Sequence, residues 1–112
     1  MIMPSEVVMQ VRDVLLEAAS GKGPNPHYLT AHQILDRLPT AIRDQIIAER
    51  GMPGRGGGPW GASQVVSDAA QMLERSGDVD IDFLDTRGVT LSVAEQSITP
   101  GNQVCGLYRM RR

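Results

Sequence analysis

The feature that most constrains this chain is a change of period at Gly77. Before it, "SQVVSDAAQMLERSG" repeats its apolar residues at helical spacing, so that Val65, Val66, Ala69, Met72 and Leu73 share one face. The other face carries Gln64, Ser67, Asp68, Gln71 and Arg75. After it, "DVDIDFLD" alternates, with Val79, Ile81 and Phe83 on one side and Asp78, Asp80 and Asp82 on the other. The spacing therefore predicts a helix, a glycine stop and a strand. Further on, "VCGLYRM" sets Val104, Gly106, Tyr108 and Met110 on one side of a last strand. Between them "DTRG" and "TPGNQ" read as turns, and "VTLSV" as a second strand or the start of a long loop.

The first half of the chain reads as helices. Val7, Val8, Val11, Val14, Leu15 and Ala18 recur at helical spacing from about Ser5, a candidate N-cap, to Ala19, and Gly21 closes the helix. The prolines of "GKGPNPH" then forbid regular structure. Thr30 with Gln33 makes a capping box, and Leu29 with Ile34 a hydrophobic staple, for a second helix that stops at Pro39. Tyr28 and Leu29, just before it, suit a very short strand. Thr40 opens a third helix with Ile42, Ile46 and Ile47 inward and Gly51 as its stop. The apolar stripe of the first helix, which Ile2 and Met3 extend and from which Met9 departs, fits either a core contact or a helix-to-helix homodimer.

Composition narrows the class. The 112 residues suit one domain, and 41% are apolar with only four aromatic residues, so the core is aliphatic. A formal charge of −2 provides no global basic field. The lone Cys105 excludes an internal disulfide and fits a reducing compartment. No stretch approaches the roughly 20 apolar residues of a membrane span, and Glu6 and Arg12 interrupt the start as they would not a secretory signal. The expectation is a cytoplasmic protein.

The order helix, short strand, helix, helix, hairpin resembles the winged helix-turn-helix family. "YLTAHQIL", "SQVVSDAAQMLERSGDV" and "VCGLYRM" carry the likeness. It implies an α+β domain over residues 1–112, with three to four helices followed by a C-terminal hairpin or small antiparallel sheet, the wing spanning 78–110. An extra helix and a glycine-rich loop, 51–61, lie where the family has a tight turn. In the alternative assignment, "AIRDQIIAER" is the middle helix of the three-helix core. The resemblance also implies a DNA-binding transcriptional regulator that reads duplex DNA with its third helix. On this chain Gln64, Ser67 and Gln71 would meet base edges and Arg75 a phosphate, with Arg50 and Arg55 as a basic arm and Arg87 on the wing.

The charges pull the other way. Asp68 and Glu74 outnumber Arg75 on that helix, and Asp78, Asp80, Asp82 and Asp85 have only Arg87 across the first turn. Phosphate contacts supply most non-specific affinity, so such a surface begins from repulsion. The second reading is therefore a protein-interaction module on the same scaffold, with Asp78, Asp80 and Asp82 as its contact face.

The glycine run "RGMPGRGGGPWGAS" carries no phosphate chemistry. A P-loop over Gly56–Ser63 has Ala62 where its lysine must be, and the Rossmann spacing Gly56, Gly58, Gly61 lacks a preceding strand. A connector pinned by Trp60 is the plainer reading. The three aspartates fail as a calcium loop, because Phe83 and Val89 stand where glycine and glutamate are required. His27 and His32 have no ligand or nucleophile spacing around them and read as surface or capping residues, and Cys105 as a thiol in an apolar strand. No cofactor, metal or enzymatic activity is expected.

Overall fold

A computed structural model describes residues 1–20, 27–54, 60–100 and 104–111. A single 3-10 turn, Pro4–Glu6, leads into α1, Val8–Ala19. The short strand β1 is Leu29–Thr30, followed directly by α2, Ala31–Arg37. Then come α3, Thr40–Arg50, and α4, Ser63–Arg75. The strands β2, Val79–Asp85, β3, Leu91–Val93, β4, Gln96–Ile98, and β5, Val104–Met110, complete the chain. The fold is α+β, four helices followed by small antiparallel sheets, as the periodicities require.

The local signals act as expected at the start of α2 and at the ends of α3 and α4, whereas Ser5 lies within the 3-10 turn and α1 starts after Val7 with no side-chain cap. Thr30 Oγ1 accepts from the Gln33 amide while the Gln33 side chain accepts from the Thr30 amide, so the capping box satisfies two donors at the start of α2. Gly51 and Gly77 close α3 and α4 at φ of 89° and 88°, a region that costs any residue with a Cβ. The long loop after α3 is closed at its neck: the Ala62 amide donates to the Gly51 carbonyl at 2.9 Å. A Cβ on Gly61, at φ 47°, would lie 2.6 Å from that same carbonyl oxygen, so the neck can only be glycine. The residues 55–59 and the proposed stop Gly21 lie outside the described residues.

Strands pair in the order β1-β5-β2, with β5 central and antiparallel to both neighbours. The register sets Ile81 opposite Tyr108 and Phe83 opposite Gly106. Against this sheet packs α4, which is itself flanked by α1 and α2. Small residues make that possible: Ser63, Ser67, Ala69 and Ala70 are all buried, so helices and sheet approach α4 closely on several sides. The stripe of α1 is spent on this core. Val7, Val11, Val14, Leu15 and Ala18 are buried, leaving Met9 and Leu16 outward. Among the described residues no helix is long and apolar enough to cross a membrane.

The segment "VTLSV" does not extend the main sheet. Leu91–Val93 pairs with Gln96–Ile98 as a separate two-stranded hairpin, and Val93 and Ile98 bury against the rest of the core, with β3 on α2. Its two-residue turn places Ala94 and Glu95 at φ of 49° and 67°. A two-residue turn with both φ positive suits Asn-Gly, and neither residue here tolerates that region well. The Asp36 carboxylate holds it from α2 by accepting the Ala94 amide at 2.9 Å. Glu95→Gly should raise the stability of the domain by roughly 0.5–1 kcal/mol, read as a higher denaturant midpoint with an unchanged slope.

Candidate binding groove between helix four and the sheet

The candidate site follows from how α4 crosses β5. Tyr108, only 2% exposed, turns its hydroxyl onto Ser67 Oγ at 3.0 Å. Its ring occupies the space left by the missing side chain of Gly106, where an added Cβ would meet the Tyr108 oxygen at 2.8 Å. The Gln71 amide donates to the same Ser67 oxygen at 3.3 Å. These groups form the floor of a groove of about 280 Å³. One wall is the α4 row Gln64, Ser67 and Gln71; the other is Ile81 and Phe83 of β2 with Val104 of β5, and Trp60 stands at the head of α4.

Phe83 and Val104 are 64% and 53% exposed. Alternation puts Phe83 on one side with Val79 and Ile81, and only Val79 is fully buried there. The reason is length: β2 runs past the helix that covers its inner face, so its far end opens onto the groove instead of onto the core.

Trp60 is held in place by a contact that spacing alone conceals. Its ring stacks on His32 of α2, centroids 5.4 Å apart and planes 16° from parallel. His32 Nδ1 and Ser63 Oγ share a hydrogen bond of 2.8 Å across 31 residues. His32 is thus not a surface residue but 1% exposed, and burial pulls its pKa from 6.5 down to about 4. Ser63 is 0% exposed, so this serine–histidine pair has no access to a substrate and serves to lock the start of α4 onto α2. His27, by contrast, is exposed. Cys105 is buried on the other face of β5, with its thiol toward Thr86 Oγ1 at 4.0 Å, and burial pushes its pKa up.

The residues proposed to read DNA are placed unequally. Gln64 is exposed and donates to Asp68 at 2.8 Å; Arg75 is exposed at the end of α4. Gln71 is half-buried, and Ser67 is buried beneath them, hydrogen-bonded to Tyr108. Arg50 is half-buried and donates from Nη2 to the Ile2 carbonyl at 3.0 Å, which ties α3 to the N-terminal segment. Arg87 clasps Asp85 at 2.6 Å, and that pairing holds the Asp85 carboxyl below the usual carboxylate range. Arg55 lies outside the described residues.

The acidic strand is also partly neutralised. Asp80 faces Arg109 in the β2–β5 register and receives Arg111 Nε at 2.7 Å, with Arg109 Nε at 3.8 Å. Arg109 in turn lies 4.5 Å over the Tyr28 ring. Asp78 takes a hydrogen bond from the Ser76 hydroxyl, and Asp82 from the following amide of Phe83; both are exposed. So Asp80 belongs to a cross-strand network, whereas Asp78 and Asp82 present negative charge to solvent. Among the described residues no group of three or more His, Cys, Asp or Glu could hold a metal ion. A larger hollow of about 480 Å³ beside α1, with Glu17, His27 and Arg37 among its described lining, shares no described lining residue with the groove.

Comparison with protein-family models, with curated proteins and with solved structures finds no match for this chain.

Two outcomes test the site's construction. The His32 shift corresponds to roughly 3 kcal/mol, present in full above pH 6.5 and lost as pH falls toward about 4, because only the unfolded chain takes up the proton in that window. Denaturant titrations should therefore show wild type losing about that much relative to His32→Gln between pH 7 and pH 4. Gly106→Ala should displace the Tyr108 ring from Ser67 and cost about 1–3 kcal/mol, measured by the same titration at pH 7.

Proposed function

We propose that this chain is a winged-helix-like protein-interaction module that binds a partner protein in the groove between α4 and the β2–β5 hairpin. The single observation that carries the reading is the exposure of Phe83 and Val104 beside Trp60 on one groove. Large apolar side chains gathered at a concave surface are what a protein partner covers, and they supply little to a phosphate backbone. The sheet order β1-β5-β2, with α2 following β1 and α4 leading into β2, supports the winged-helix likeness of the scaffold. The buried free thiol of Cys105 suits a cytoplasmic setting.

The charges support protein over nucleic acid. Arg50 and Arg87 are already engaged, and Asp68 and Glu74 share α4 with its one arginine. DNA binding by a transcriptional regulator is the second reading, favoured by the open placement of Gln64 and Arg75 on α4.

Fluorescence anisotropy of a labelled random-sequence duplex at about 50 and 200 mM salt separates the two. The interaction module gives no binding at either salt. It also retains a defined protein from cell extract that Phe83→Ser, a change at an exposed position, no longer retains. Micromolar duplex binding that collapses at the higher salt would instead establish the regulator.

A further inference from the structure

The strand β2 forms an edge of its sheet; among the described residues no strand pairs with its free side, and its residues are half-buried or exposed from Asp80 to Asp85 but buried at Val79. In an antiparallel ladder the peptide groups of successive residues point alternately to the two sides. The Asp78 carbonyl, one residue before the strand, accepts from the Arg111 amide on the β5 side. The Phe83 amide donates instead to the carboxylate of its own neighbour, Asp82, at 2.8 Å. The peptide groups of Ile81 and Phe83 therefore face the open edge, Val79 being buried, and Asp82 is the group that occupies one of their donors.

Edge strands are normally blunted against chance pairing. Here the protection is selective in charge. A second copy of β2 would bring aspartate against aspartate along the outer face, and a nucleic-acid backbone would bring phosphate. Asp80 is already satisfied by Arg109 and Arg111, but Asp82 and Asp78 make no ion pair among the described residues. An incoming cation is what can draw Asp82 away from the Phe83 amide and free that donor. On the inner face the same strand offers Ile81 and the exposed Phe83, beside Gln64 and Gln71 of α4.

We infer that β2 takes up an extended segment of a partner protein as an added strand, one whose side chains alternate basic and apolar. The basic residues meet Asp82 and Asp78 on the outer face, and the apolar ones lie over Ile81 and Phe83 in the groove. Main-chain hydrogen bonds to the edge supply affinity, and the alternation sets the register. This rests on the protein-binding role proposed above and specifies its mode.

The probe is a fluorescein-labelled peptide of about eight residues, matched to the strand's length, alternating arginine and valine. It is compared with an isomer of the same composition in two blocks, with a glutamate–valine version, and with an N-methylated version that cannot pair along its edge. The alternating peptide should bind roughly tenfold more tightly than any of the three and should slow amide exchange at Ile81 and Phe83 by a similar factor. Asp82→Asn and Phe83→Ser should each weaken it by about fivefold or more. Equal binding of the blocked isomer, or exchange unchanged at those amides, overturns strand addition. If Phe83-dependent partner capture nevertheless persists, the groove still binds protein by another mode. If capture and peptide binding are both absent, the interaction reading fails with it.

Discussion

The meeting of Tyr108 with Ser67 is the contact on which the rest of the structure depends. A tyrosine at the centre of the middle strand can lie flat under a helix only if its hydroxyl has a partner there and nothing grows from the strand beside its ring. Ser67 supplies the partner and Gly106 the space. Because β5 pairs with both β1 and β2, seating Tyr108 also sets the distance between the helical layer and the whole sheet. The groove is what remains above that contact, where β2 outruns the helix.

A second lock holds the other end. His32 on α2 and Ser63 at the start of α4 are joined through a buried hydrogen bond, with Trp60 stacked on the imidazole. Together with the closed neck at Gly51 and Gly61, this fixes the two ends of the segment between α3 and α4 beside each other. Contacts with α2, α1 and β2, and not the loop before it, seat α4 in the core. The glycine run is a connector at its described ends.

The charges show how much a strand face depends on its neighbour. As a string of letters, Asp78, Asp80 and Asp82 form a uniform acidic row. Register converts Asp80 into half of a cross-strand network with Arg109 and Arg111 and leaves Asp82 on a free edge. Arg50 and Arg87, basic residues that looked free for a phosphate, are held by Ile2 and Asp85. On the described groove and the free edge of β2, what stays open is largely apolar and acidic, and the proposed protein-binding role rests on that.

The helices, the cap of α2, the glycine stops of α3 and α4, the strands β2 and β5 and the α+β class were legible in the sequence, but the N-cap expected at Ser5 was not the one that forms. Each follows from local causes: the period of apolar residues, the Thr30–Gln33 box, and the glycines that close α3 and α4 at positive φ. The very short β1 was legible to within a residue, because the capping box fixes where α2 starts. Depth was decided only by the tertiary structure. Ser67 has the chemistry of a base reader and the position of a buried spacer; His32 looks like a surface residue and lies in the core; Phe83 shares a side by alternation with the buried Val79 and lies open. In each case the deciding partner comes from another element, and no spacing rule reaches that far. The sequence alone determined which segments form and which faces they carry; packing determined which of those faces remained uncovered.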